Sequence, residues 1–215
     1  MRTKRPRSLL VILAILTCVV ATLYAGGWSI ITLNEYPDHA VAGEQLDLTF
    51  SVRQHGNNLL EGLKPLVQAS MQGTPKINVA ARPTTNTGEY TATLRLPATG
   101  EWTISIDGSF NPEDKTRSYN AIVLPPLKVV RDTASAPSLT EVERGSRLFV
   151  AKGCVGCHGA GTERDLAGKK FAADYLKKVL ADPSVRTPDM PNLKLKDSEI
   201  ASLAAFINRT SGKRS

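Results

Sequence analysis

The chain has 215 residues, 41% of them hydrophobic and 22% charged, with a formal net charge of +7. That is enough for one large or two small soluble domains. Its basic residues form no run interleaved with aromatics, which argues against a nucleic-acid surface and for a mildly basic face that meets acidic protein partners. Residues 1–33 carry four basic groups and no acidic one, residues 34–137 nine and eleven, and residues 138–215 fourteen and nine. The sign changes along the chain as it would across separate domains.

Arg2, Lys4, Arg5 and Arg7 lead into an uncharged, mainly apolar run from Leu9 to Ala25, prolonged by Trp28, Ile30 and Ile31. The run is long enough to cross a bilayer core of ~30 Å as a helix. The basic start predicts a cytoplasmic N-terminus with everything after residue 33 on the exported side. Residues 1–33 therefore read as a single-pass transmembrane anchor in a bacterial cytoplasmic membrane, with both soluble domains periplasmic or extracytoplasmic. A cleaved signal is the alternative, although its best cleavage site, Val19-x-Ala21, lies inside the apolar run.

From Asn34 to about Arg131 the apolar period is two. QLDLTFSVRQ places Leu46, Leu48, Phe50 and Val52 on one face. EYTATLRLP does the same with Tyr90, Ala92, Leu94 and Leu96, and EWTISIDG with Trp102, Ile104 and Ile106. Further strands are predicted near 66–71, 76–81, 118–124 and 127–130. Turn residues at Gly56-Asn57-Asn58, Asn86-Thr87-Gly88, Pro97 to Gly100 and Asn111-Pro112 separate them. Short alternating segments at this spacing predict an all-β, immunoglobulin-like sandwich over residues 34–132. The stretches AGEQLDLTFSVRQHG and GEYTATLRLPATGEWTISID resemble the YtkA-like/FixH-like group of immunoglobulin-like domains. That resemblance implies an exported module found beside haem or copper respiratory machinery. His39, His55 and Met71 are its candidate copper ligands, since imidazole and thioether suit copper; packing or docking is the competing role for these residues.

A small, polar, Pro-containing linker follows at 133–138, and an all-α segment at 139–215 carries the chemistry. Thr140-x-x-Glu143 has the form of a capping box, predicting a helix over about 141–151 that ends at Gly153. Then comes Cys154-Val155-Gly156-Cys157-His158. A redox CxxC needs a βαβ context that is missing here, and a structural zinc site needs a fourth ligand that the segment does not contain. Covalent haem attachment uses all three residues, both thiols as thioethers and the histidine as iron ligand. A sixth ligand is then expected downstream, and Met190 is the only Met of this segment. It stands between Pro188 and Pro191, which would stiffen its loop. Two more helices are predicted around AADYLKKVLADP and DSEIASLAAFINRT, the second crossing the first helix at Gly145 and bringing Phe206 or Leu203 to Phe149.

The pieces ERGSRLFVAKGCVGCHGAG, DYLKKVLADP, MPNL and EIASLAAFI together resemble a small class I cytochrome c. Carried over residue by residue, the resemblance makes Cys154 and Cys157 the haem thioether residues, His158 the proximal ligand and Met190 the distal one. It departs from the family after the haem motif, where Arg164-Asp165-Leu166 stands in place of a Gly-Pro-x-Leu segment whose backbone orients the proximal histidine. The resulting expectation is a membrane-anchored electron carrier with one covalent haem c, no catalytic residues and no small-molecule substrate, acting in a respiratory or photosynthetic chain. Its redox partners would carry acidic docking surfaces, a terminal oxidase among them. They would be steered by Lys152, Lys169, Lys170, Lys177, Lys178, Lys194 and Lys196 around a port near Cys157 and the Met190 loop. The alternative is a cytochrome subunit, or an assembly or copper-handling partner, of a membrane oxidase.

Overall fold

In the computed structural model of the chain, residues 29–109, 121–166 and 169–210 are described. Eleven strands precede the helices among these residues. Strands β1 (Ser29–Leu33), β3 (Gln45–Gln54), β4 (Asn58–Leu59), β7 (Arg82–Pro83) and β8 (Glu89–Arg95) form one antiparallel sheet, ordered β1-β3-β8-β7 with β4 beside β3. Strands β2 (His39–Val41), β5 (Leu66–Ser70), β6 (Ile77–Ala80), β9 (Gly100–Asp107), β10 (Ala121–Val123) and β11 (Leu127–Val130) form the other, ordered β2-β11-β9-β5-β6 with β10 beside β9. Among the described strands only the β11–β2 pair is parallel. The register Leu48↔Ala92 and Phe50↔Tyr90 lines up the inward residues of neighbouring strands, as a period of two requires. Phe50, Tyr90, Leu94, Trp102, Ile104 and Ile106 are all at most 1% exposed, and the Trp102 indole donates to the Ala98 carbonyl at 2.9 Å. The buried Tyr90 hydroxyl donates to Leu60 O and accepts from Leu63 N, so the core holds its polar groups in partnership.

The transmembrane helix is a correction. No helix among the described residues is long and apolar enough to cross a membrane, and the single-pass, membrane-anchored localisation is therefore not supported. Residues 1–28, which hold Leu9 to Ala25 and Trp28, lie outside the described residues. The end of the presumed anchor is something else: Ser29–Leu33 is strand β1, paired along β3 from Ser29↔Gln54 to Leu33↔Phe50. All five of its residues are buried. Ile31 and Leu33 enter the sandwich core, while Ile30 and Thr32 point the other way and meet the loop at Gly153. A strand covered on both faces reads as a continuous apolar run, and periodicity alone does not separate such a run from a buried helix.

The C-terminal unit contains helices α1 (Glu141–Ala151), α2 (Val155–His158), α3 (Ala173–Ala181) and α4 (Asp197–Thr210). The capping box that starts α1 is formed: Glu143 N donates to Thr140 Oγ1 at 3.3 Å, and Thr140 N donates to Glu143 Oε2 at 2.8 Å. α1 crosses α4 at Gly145, where a Cβ would stand 1.9 Å from Ser202 O. The same crossing brings the Phe149 and Phe206 rings to 5.4 Å between centroids. Leu148, Leu176, Leu180, Ile200, Leu203 and Ile207 make this unit's own cluster.

The sandwich and the helical unit are joined by a polar seam around β1. Arg144 pairs with Asp38 at 2.8 Å. Arg147 donates to Pro126 O at 2.6 Å and to Pro37 O at 3.1 Å, and its guanidinium lies 4.9 Å from the centroid of the Tyr36 ring. Lys196 pairs with Glu35. Lys152, only 4% exposed, donates to Asn34 O at 2.6 Å and pairs with Glu199 at 2.8 Å. Lys152 and Lys196, expected to ring an electron port, are thus fasteners between the two units. Ala151, at the end of α1, is fully buried as part of the sandwich core.

Candidate haem site

α1 ends where Lys152 N donates to Leu148 O and Gly153 N to Val150 O, both at 2.8 Å. Gly153 then takes φ +73, and a Cβ there would lie 2.3 Å from Ile30 Cγ2 and 2.8 Å from Ile31 O. The position needs glycine for its backbone angle and for its closeness to β1. The chain next winds one helical turn: Cys157 N and His158 N both donate to Cys154 O, at 3.2 and 2.8 Å. Spacings of three and four residues place Cys154, Cys157 and His158 along one side of that turn. The back of the turn rests on β1, with Gly156 against Ile30.

The two thiols are not joined to each other. Burial pushes the Cys154 thiol up to about 12 and also raises that of Cys157. Reactive redox cysteines need the opposite shift, toward thiolate. Among the described residues no group of three or more His, Cys, Asp or Glu is arranged to hold a metal ion.

The His158 ring is held by a backbone carbonyl: Nδ1 lies 2.8 Å from Arg164 O. A carbonyl can only accept, so Nδ1 carries the proton and Nε2 keeps its lone pair for a metal. The segment 164–166 therefore supplies the orienting contact without the family's proline, through Arg164. Thr162 Oγ1 closes the same loop, its one hydroxyl hydrogen shared between Cys157 O at 2.8 Å and Gly159 O at 2.9 Å.

His158, Cys154 and Met190 line one cavity of about 590 Å³. Its walls are apolar side chains of three helices: Phe149 of α1, Leu176, Val179 and Leu180 of α3, and Leu203 and Ile207 of α4. The lining also includes Glu163, Arg164, Lys169 and Arg186, so an imidazole, a thioether and charged groups face one apolar wall, a donor set that suits a planar iron cofactor with an apolar body and charged substituents. Cys157 is not among the residues of this cavity. It borders a neighbouring polar cleft of about 460 Å³ with His55, Asn57, Glu163, Arg164 and Asp189. Met190 packs on the helical cluster, in a loop where Asp189 N donates to Thr187 Oγ1 at 3.3 Å and Lys194 N to Asn192 Oδ1 at 2.9 Å.

The three copper candidates belong to separate elements. His39 is in β2, on the six-stranded sheet. His55 is in the β3–β4 turn with φ +51. Met71 packs on the sandwich core over Gly100. Nothing in this arrangement supports a copper site.

Residues 140–207 match the model of the family described as cytochrome c oxidase, cbb3-type, subunit III. The C-terminal third carries a cytochrome c domain. All four expected haem residues fall inside the match, and a domain of this kind implies haem c and an electron-transfer role. Comparison with curated proteins gives no match. Solved structures with some likeness include the Lin-41 filamin domain, at 15% identity over 50% of this chain and 100% of that one, with a TM-score of 0.37. Domains 4 and 5 of the S-layer protein SbsC follow at 17% identity over 46% of this chain and 44% of that one, with a TM-score of 0.32. A superoxide reductase (neelaredoxin) from Ignicoccus hospitalis shows 17% identity over 47% of this chain and 80% of that one, with a TM-score of 0.30.

Proposed function

We propose that the chain is a c-type cytochrome with one covalently attached haem c, Cys154 and Cys157 being the thioether residues and His158 and Met190 the axial pair. It passes electrons within a respiratory chain, as a carrier to, or a subunit of, a terminal oxidase. The observation that carries this reading is the Nδ1–Arg164 O contact, which fixes the tautomer of His158 in a cavity that also includes Met190. When bound, the haem iron supplies one-electron exchange between its ferric and ferrous states. The protein's part is to hold the two ligands, to exclude water with the apolar walls of α1, α3 and α4, and to offer a surface for redox partners. A thioether ligand favours ferrous iron and raises the potential. The cationic groups left for partner docking include Lys169, Lys177, Lys178 and Arg186, all exposed. The oxidase association is favoured by the family that residues 140–207 match.

The test is the intact mass of the chain produced in cells that attach haem c. One haem per chain is expected, with loss of the covalent mass in the Cys154→Ser, Cys157→Ser double variant. Haem that extracts into acidified acetone would contradict covalent attachment.

A further inference from the structure

We infer that Asn57, on the β-sandwich, is a positioning residue for the Met190 loop, acting through a chain of contacts that also reaches His158. This rests on the reading of His158 and Met190 as the axial pair. Asn57 Nδ2 donates to Asp189 O at 3.1 Å, and Asp189 directly precedes Met190. The Asp189 carboxylate accepts from the Arg164 guanidinium at 3.4 Å. The carbonyl of the same Arg164 receives Nδ1 of His158 at 2.8 Å. One residue, Arg164, therefore touches the supports of both axial ligands, and a residue from the other folding unit closes the chain.

The sandwich is built to present Asn57 there. The hairpin register Arg53↔Leu59 and Gln54↔Asn58, the left-handed angles of His55 and Gly56, and the Asn57 N to Gln54 O bond of 3.2 Å fix the tip. The seam at Lys152 and the packing of Ile30 on Gly153 and Gly156 fix the sandwich against the haem turn. The 460 Å³ cleft that Asn57, Arg164 and Asp189 line is thus a junction between units. Each link in the chain is exposed, so each is modest. The sandwich biases the seating of Met190 and does not enforce it alone.

The experiment uses the full-length, haem-loaded chain and imidazole as the probe. Added imidazole binds ferric iron only where Met190 has moved away, so its apparent affinity reports the detached fraction. Asn57→Ala, and Asn57→Asp, which keeps the shape but removes the donor, should raise that affinity about two- to tenfold. Asn57→Gln, which keeps an amide donor, should bring the affinity part of the way back to the wild-type value. The thermal midpoint of the sandwich should not change, because Asn57 is exposed. If the Ala and Asp variants bind imidazole as the wild type does, this inference is wrong while the axial assignment stands. If Met190→Ala leaves the wild-type spectrum unaltered, the axial assignment falls and the role of Asn57 falls with it.

Discussion

The sandwich and the helical unit solve the problem of a core in different ways. Trp102, Tyr90, Phe50 and the inward leucines and isoleucines of the strands close the sandwich completely, whereas Leu203 is the one helical residue among the largest fully buried side chains described. The helical unit instead leaves about 590 Å³ between its helices. A unit of this size buries a marginal core by itself, and a cofactor with an apolar body would complete it. The sandwich compensates in a second way: β1 and the polar seam support the Cys154–His158 turn from behind. One unit fills its core almost wholly from its own strands, with Ala151 of α1 joining them, and the other leans on a neighbour and has room for a prosthetic group.

Mutations can break this contrast. The largest effect is expected in the sandwich. Trp102→Ala removes its biggest fully buried side chain and should cost about 3–5 kcal/mol, read as a lower urea midpoint for the β-sheet signal. Next comes the seam. Lys152→Ala removes the cation paired with Glu199, which keeps only the Lys196 N–H at 2.9 Å, and takes the donor from Asn34 O; it should cost about 3 kcal/mol, as the breaking of a mostly buried pair does. Its mark would be faster hydrogen exchange at 152–158 with the strands of the sandwich still protected.

A pH scan sharpens the contrast further. Burial raises the Tyr36 hydroxyl to about 12 from an ordinary 10.0; it donates to Pro125 O at 2.6 Å. The folded state therefore favours the protonated phenol. Its contribution is complete below pH 10 and is lost as the pH climbs toward 12, by roughly 2–3 kcal/mol in all. Tyr36→Phe should abolish that alkaline limb in a stability-versus-pH curve.

The smallest effect belongs to Glu35 and Lys196. The Lys196 ammonium lowers Glu35 from 4.5, and the Glu35 carboxylate raises Lys196 from 10.5. Glu35 contributes above its ordinary value and loses this as the pH falls through its lowered one. Lys196 contributes below 10.5 and loses this as the pH rises through its raised one. Both ends are exposed, so Lys196→Ala should have little effect on melting at neutral pH, and high salt should remove what effect there is.

Much of this was legible in residue order. Alternation located β3, β8 and β9 because one face of each meets the core and the other does not. CxxCH, with Met190 the only methionine in the segment, raised the expectation of an axial pair; what the structure adds is that His158 and Met190 line one cavity. Alternation failed at β1, where Ile30 and Ile31 are buried on opposite faces, so that its residues read in sequence as the end of the preceding apolar run. Lys152 was misread for a related reason, since a lysine that ends in a buried carbonyl and carboxylate looks in sequence like any surface lysine. Arg164 was only half visible: its segment stands where the family's orienting backbone does, but the carbonyl that contacts His158 has no side-chain signature. Asn57 carried only a turn signal, because its partner Asp189 is 132 residues away.

The central claim is that His158 and Met190 hold one haem iron between them. The most direct measurement is the optical spectrum of the ferric, haem-loaded chain at neutral pH, taken alongside Met190→Ala. The account predicts a low-spin spectrum with a weak near-red sulfur-to-iron band that disappears in the variant. A high-spin wild-type spectrum without that band would contradict it.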